Sequence, residues 1–140
     1  MAAVVFADAG PLVALLDRRE EHHSWASSHA ARIGWQVRTC GAVLTETCFL
    51  LSAQPPAIAR LRALVNRGAL LSVGEDSTLW SRALALMERY ANVPMSFADA
   101  CLVALAEATP EARIFTLDRD FLIYRQHADR PLALLAPFAE

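Results

Sequence analysis

Four acidic side chains, Asp8, Glu46, Asp99 and Asp118, stand in largely apolar stretches of the sequence. Carboxylates that converge repel one another and take up protons unless a cation compensates them. Since the four include neither His nor Cys, a hard divalent cation such as Mg²⁺ or Mn²⁺ is favoured over zinc. Mg²⁺ held by carboxylates can activate water and neutralise a phosphodiester. The set therefore points to a nuclease or another phosphoryl-hydrolysing enzyme, although the spacing alone is weakly specific.

Asp99 lies near the start of a predicted helix. Pro94 ends the preceding element, Ser96 is a good N-cap residue, and the helix is expected to continue to Glu107. At helical spacing Asp99 shares a stripe with Leu102, so its carboxylate is expected to face the interior. The alternative is that Asp99 only stabilises the helix terminus.

Asp8 and Asp118 each follow a short apolar run that is typical of a buried parallel strand, at residues 2–6 and 114–117. In open parallel α/β sheets the working crevice lies outside the carboxyl ends of the strands. Both carboxylates are therefore expected at one edge of the sheet.

Glu46 is predicted to lie on the apolar face of a helix that spans residues 41–52. The other residues of that face are Ala42, Val43, Phe49, Leu50 and Ala53. An ionised and unpaired Glu in that position would cost several kcal/mol, so it must meet a cation, a proton or a metal.

Strands alternate with helices along the whole chain. This pattern predicts an α/β fold, a three-layer α/β/α sandwich with a mostly parallel five-stranded sheet, in a single domain over residues 1–140. Further strands are expected at residues 35–39, 69–73 and, at the edge of the sheet, 132–135. Further helices are expected at residues 12–17, 20–33, 57–66 and 78–90.

The composition limits the classes of partner. Apolar residues make up 55% of the chain, and part of this surplus is expected at an interface, for which Trp25, Pro55-Pro56 and Trp80 are candidates. The net charge is −2 although all thirteen basic residues are Arg, so nucleic-acid binding would need a local Arg cluster or bound metal. No apolar run approaches a membrane span and no basic leader is present, so a cytoplasmic protein without membrane contact is expected.

Four segments also resemble the successive motifs of the PIN-domain family, in the same order and over nearly the whole chain. They are Val-Val-Phe-Ala-Asp8-Ala-Gly-Pro, Val-Leu-Thr-Glu46, Ser96-Phe-Ala-Asp99-Ala, and Ile-Phe-Thr116-Leu-Asp118-Arg-Asp-Phe121. Within that family the chain is most similar to the single-domain VapC-type toxins.

The resemblance implies a Mg²⁺-dependent (or Mn²⁺-dependent) endoribonuclease that acts on RNA, pairs with a cognate antitoxin protein and forms a homodimer. By the same resemblance Asp8, Glu46, Asp99 and Asp118 match the acidic metal-binding, catalytic positions. Thr116 matches a small hydroxyl residue that often accompanies the site. Asp120 is an auxiliary candidate, although surface exposure is the simpler interpretation of its position.

One departure concerns the residue after Asp8. Many family members have Ser or Thr there, and this chain has Ala9, which removes a hydroxyl near the site but no metal ligand.

Other functions share parts of this pattern. A phosphoaspartyl receiver would need a Lys, which the chain lacks, and a haloacid-dehalogenase-like phosphatase would need an Asp where Gly10 stands. A housekeeping RNA-processing nuclease, or a PIN-like binding or scaffolding module with little hydrolysis, remains open because ligands alone do not establish turnover.

Overall fold

A computed structural model of the protein describes residues 4–34, 36–127 and 129–139. Within these ranges the helices are α1 (Ala9–Leu16), α2 (His23–Arg32), α3 (Gly41–Leu50), α4 (Pro55–Asn66), α5 (Ser77–Arg89) and α6 (Phe97–Ala108). The strands are β1 (Val5–Ala7), β2 (Val37–Thr39), β3 (Leu70–Ser72), β4 (Arg113–Phe115), β5 (Arg125–Gln126), β6 (Arg130–Pro131) and β7 (Leu134–Leu135). Short 3₁₀ turns occupy Arg119–Leu122 and Pro137–Ala139.

Five strands form one parallel sheet in the order β3-β2-β1-β4-β7. Every neighbouring pair in it is parallel, and β7 lies at the edge beside β4 as predicted. The predicted three-layer α/β/α architecture is thus confirmed. The strands β1 and β4 are central neighbours, so the residues that follow them come together at one edge of the sheet.

The strands are shorter than predicted: β2 begins at Val37 and β7 begins at Leu134, each two residues later than expected. β4 ends at Phe115, so Thr116 and Leu117 lie beyond it, although the Thr116 N–H still donates to the carbonyl of Leu135. Ala2, Ala3 and Trp35, which belonged to the predicted strands, lie outside the described residues.

Several helices begin or end elsewhere than the sequence predicted. The α1 helix begins at Ala9 rather than at residue 12 because Asp8 caps it, and α4 begins at Pro55 rather than at residue 57 because proline is tolerated in a first helical turn. The α2 helix begins at His23 rather than at residue 20, because the Asp17 carboxylate accepts bonds from the backbone N–H and the guanidinium of Arg19 and organises a turn first. The small antiparallel pair β5-β6 and both 3₁₀ turns were not predicted.

The predicted buried face of α3 was wrong. The helix buries Val43 and Thr47, followed by Leu51, whereas Glu46 is exposed and Phe49 is 77% exposed. Thr47 keeps a hydrogen bond when buried, because its Oγ1 donates to the Val43 carbonyl at 2.8 Å. The helix is apolar nearly all round, so periodicity could not distinguish its two faces.

Among the helices of the described residues, α6 has the largest share of buried residues. Ser96 caps it as predicted, since its Oγ accepts the N–H of Asp99 at 3.0 Å. Leu102 near its middle has no solvent exposure. Among the described residues, no helix is both long and apolar enough to cross a lipid bilayer.

We expect Leu102→Ala to lower the free energy of unfolding by about 2–5 kcal/mol, because it leaves a cavity in a packed core. The matched control is Leu122→Ala, where a side chain that is 44% exposed is removed and a change within about 0.5 kcal/mol is expected. Urea unfolding followed by circular dichroism measures both. Equal losses in the two variants would contradict the central position of α6.

Candidate metal centre

Asp8 lies between β1 and α1 and is held from two sides. It is the N-cap of α1, and its Oδ1 accepts the N–H of Ala9 at 2.8 Å. Its Oδ2 accepts the hydroxyl of Thr116 at 2.8 Å. Only 6% of Asp8 is exposed, so both oxygens are buried acceptors with one neutral donor each.

Asp99 sits in the first turn of α6 and is 8% exposed, which confirms the inward orientation predicted from the sequence. Its Oδ2 accepts the phenolic hydroxyl of Tyr124 at 3.0 Å. Asp99 thus does more than complete the helix terminus.

Asp118 approaches the same place from the end of β4. It is exposed and caps the 3₁₀ turn that begins at Arg119, and its Oδ1 accepts the N–H of Asp120 at 2.9 Å. Its own N–H donates to Thr116 Oγ1 at 2.9 Å. Thr116 therefore connects two of the acidic residues, since its hydroxyl donates to Asp8 and accepts from Asp118. Asp120 is itself exposed, and its backbone N–H is the group that contacts Asp118.

Three of the four predicted carboxylates converge. Asp8, Asp99 and Asp118 each offer a carboxylate oxygen, and these oxygens lie within 4.8 Å of one another. Glu46 stands apart from this trio but lines the same cleft of about 390 Å³, together with Leu50. Asp8 and Asp99 are buried in this cleft, whereas Asp118 and Glu46 are exposed and form its rim.

Burial and mutual repulsion make the cluster costly to ionise. Burial raises the pKa of Asp8 from an ordinary 3.8 to about 6, although the bonds from Thr116 and Ala9 oppose the shift. Burial, followed by the charge of Asp8, raises the pKa of Asp99 to about 6. Partial desolvation in the cleft and the charges of Asp99 and Asp118 also raise the pKa of Glu46, although the residue as a whole is exposed.

Two ion pairs among the described residues lie outside this cluster. Among the described residues, ion pairs join Arg19 to Asp17 and His22 to Glu21, and neither pair includes a carboxylate of the cleft. A set of carboxylate oxygens without nitrogen or sulfur donors is what hard divalent cations prefer. The residues present therefore fit Mg²⁺ or Mn²⁺.

Sequence reasoning missed Tyr124. The only local signal is its spacing of three from Phe121, which indicates a shared buried face in a turn but does not predict which acceptor the hydroxyl meets. Both side chains are buried, and their rings meet edge to face at 5.3 Å. Burial and the charge of Asp99 raise the pKa of the phenol, so it remains a neutral donor.

Comparison with known proteins supports this picture. The sequence model named PIN domain matches residues 5–126. No curated protein sequence is significantly similar to the chain.

Solved structures share the fold. VapC20 from Mycobacterium tuberculosis, described as a sarcin-ricin loop cleaving toxin, has a TM-score of 0.71 at 23% identity, with 83% of this chain and 91% of that chain covered. VapBC2 from Rickettsia felis, solved with a DNA fragment from its promoter, has a TM-score of 0.63 at 12% identity, with 95% and 98% covered. PAE2754 from Pyrobaculum aerophilum has a TM-score of 0.60 at 17% identity, with 96% and 92% covered. At these identities the likeness concerns the fold.

The raised pKa values predict a pH dependence of stability for the metal-free protein. For Asp8 and Asp99, the native state holds protons that the unfolded chain has already lost between about pH 4 and 6. Their contribution to stability is fully present below the unfolded pKa of 3.8 and is lost as the pH rises through about 6. We therefore expect Asp99→Asn to reduce the fall in the free energy of unfolding between pH 4.5 and 7.5, measured in urea with EDTA.

The control for this prediction is Asp129→Asn, which removes an exposed acid in the β5-β6 hairpin. It should retain the pH dependence of the wild type. Identical pH dependence in the wild type and Asp99→Asn would show that Asp99 ionises as easily in the native state as in the unfolded chain.

Proposed function

This chain belongs to the PIN-domain family, and from that premise we propose that it is a Mg²⁺- or Mn²⁺-dependent endoribonuclease and the toxin of a toxin-antitoxin pair. The observation that carries the proposal is the group of three carboxylates, Asp8, Asp99 and Asp118, whose oxygens lie within 4.8 Å of one another. The sarcin-ricin loop cleaving toxin among the structural neighbours supports RNA, in a loop or single strand, as the substrate.

In this proposal Asp8, Asp99 and Asp118 hold the cation and Glu46 contributes from the rim of the cleft. When bound, the cation supplies charge neutralisation at the phosphodiester and lowers the pKa of water. The chain's own residues orient the ligands. Thr116 and the N–H of Ala9 fix both oxygens of Asp8.

Asp118, Glu46 and Asp120 have different roles in this proposal. Asp118 is held by its N–H on Thr116, so one hydroxyl sets the positions of two ligands relative to each other. Glu46 lines the same cleft and would add a fourth carboxylate to the environment of the cation. We assign Asp120 no direct role, because it contacts Asp118 through its backbone N–H.

We further propose that residues 1–140 act as one domain in the cytoplasm, where an RNA substrate and an antitoxin would be met. The VapBC2 complex among the structural neighbours supports an antitoxin partner. For a homodimer, the exposed apolar pair Trp80 and Leu84 on α5 is one candidate surface, with 49% and 53% exposure. Trp25 is less suitable, because its ring packs against Phe115 at 5.4 Å.

The purified protein is expected to cut RNA with Mg²⁺ or Mn²⁺ and to stop in EDTA. Asp99→Asn should lower the rate roughly 100-fold or more, because losing a ligand costs more than the about 10–100-fold typical of residues that support ligands. Gel analysis of a structured RNA that contains loops measures cleavage, and circular dichroism checks the fold. Cleavage that survives chelation would end the metal-dependent mechanism, whereas a folded protein that binds Mn²⁺ but cuts no RNA would favour a binding module.

Mg²⁺ is expected to raise the melting temperature in a concentration-dependent way, because it binds the native cluster and relieves its repulsion. Glu46→Gln should reduce this rise while changing the stability of the metal-free protein by no more than about 0.5 kcal/mol, since Glu46 is exposed. Differential scanning fluorimetry over a Mg²⁺ series measures both effects. Equal Mg²⁺ shifts in the two proteins would remove Glu46 from the centre.

Sedimentation of the isolated chain should show a dimer, and Trp80→Arg should shift it toward monomer because the new charge would have to be buried. Ala85→Arg, an exposed position on another side of α5, is the matched control and should remain dimeric.

Co-expression with the product of the adjacent small gene should give a complex with suppressed ribonuclease activity. A monomeric nuclease that neither binds that product nor loses activity in its presence would support a housekeeping enzyme and would overturn the proposal that the protein is a toxin.

A further inference from the structure

Tyr124 is a fully buried side chain that contacts the acidic cluster through its hydroxyl. Its hydroxyl lies 3.0 Å from Asp99 Oδ2, and the carbonyl of Pro94 is a more distant acceptor at 3.4 Å. The phenol has one proton to donate, and the shorter contact to an anionic oxygen is the stronger bond.

The ring is fixed by other aromatic side chains. Phe121 and Tyr90 each meet it edge to face, with centroids 5.3 Å away. Contact with these two rings leaves the phenol of Tyr124 little freedom to leave Asp99. The hydroxyl of Tyr90 accepts the N–H of Arg125 at 2.7 Å and so bonds to the backbone rather than to Tyr124 or a carboxylate.

Tyr124 also belongs to the segment that carries another acidic residue. The 3₁₀ turn Arg119–Leu122 begins directly after Asp118 and ends two residues before Tyr124. The bond from Tyr124 to Asp99 therefore ties the Asp118 turn to the first turn of α6. The phenol thus links the segment that carries Asp118 to the carboxylate of Asp99.

We propose that Tyr124 is a positioning residue for the metal ligand Asp99, an inference that rests on the proposed function. By engaging Oδ2, the phenol fixes the orientation of the carboxylate and leaves the second oxygen for the cation. A residue that orients a ligand in this way commonly contributes about 10–100-fold to metal affinity or activity.

The chemistry of the donor explains why a phenol suits this position. An Arg or Lys would also hold Asp99, but its positive charge would compensate the cluster and compete with a cation. A neutral hydroxyl stabilises the anion and leaves the cluster's charge in place. Thr116 makes the same type of bond to Asp8, so each of the two buried carboxylates accepts a bond from a neutral hydroxyl.

The test compares Tyr124→Phe with Tyr90→Phe. Both substitutions remove one hydroxyl from the same aromatic cluster, but the Tyr90 hydroxyl bonds to a backbone N–H rather than to a carboxylate. Isothermal titration with Mn²⁺ should show a Kd raised about 10-fold in Tyr124→Phe and changed less than about twofold in Tyr90→Phe. RNA cleavage by Tyr124→Phe should recover at saturating Mn²⁺, which a general structural defect would not allow.

A second measurement does not require Tyr124→Phe to fold. The chain has two tyrosines, so 3-fluorotyrosine incorporated into the Tyr90→Phe variant reports on Tyr124 alone. Its ¹⁹F resonance should move as Mg²⁺ is added. The Mg²⁺ concentration at half of this shift should equal the Kd that calorimetry gives for Mg²⁺ and the same variant.

The possible outcomes distinguish failure of the positioning role from failure of the proposed function. Unchanged Mn²⁺ affinity in Tyr124→Phe, equal losses in both variants, or a ¹⁹F resonance that ignores Mg²⁺ while the protein binds the ion would overturn the positioning role alone. A wild-type protein that binds no Mn²⁺ and cuts no RNA would overturn the proposed function and this inference together. The expected result is a loss of affinity confined to Tyr124→Phe.

Discussion

The organisation of the cleft follows from the repulsion among acidic groups placed close together with little access to water. Three carboxylate oxygens lie within 4.8 Å of one another, and two of the three residues are buried. Such an arrangement opposes folding unless protons or a cation neutralise it. The fold nevertheless holds Asp8 and Asp99 rigidly, with hydrogen bonds that stabilise their anionic forms.

The parallel sheet makes this convergence possible. β1 and β4 are adjacent and parallel, so Asp8 and Asp118 emerge at the same edge although they are far apart in sequence. The α6 helix brings Asp99 to that edge with its N-terminal turn, where the helix dipole favours negative charge. Thr116 and Tyr124 then fix distances that backbone geometry alone would leave loose. A site built this way needs few residues, because strand ends and one helix terminus already point toward a common place.

The sequence predicted those parts that depend on local patterns. Asp8 and Asp118 could be placed because each follows an apolar strand, and Asp99 because Ser96 and the apolar stripe of α6 define its helix. Glu46 was assigned to the wrong environment, because α3 is apolar on several faces and a buried Thr47 can satisfy its own hydroxyl within the helix. Tyr124 was missed, since its contact with Asp99 depends on how the 3₁₀ turn packs against α6. Contacts between distant segments leave no periodic trace in the sequence.

The central claim is that the acidic cluster is a divalent-cation site. Crystals grown with Mn²⁺ and measured at its absorption edge test it most directly, because anomalous scattering locates the ion without reference to activity. The account predicts an anomalous peak bonded to oxygens of Asp8, Asp99 and Asp118, at about the 2.1 Å typical of a small octahedral cation. A map without a peak between these carboxylates at saturating Mn²⁺, or with an arginine side chain in its place, would contradict it.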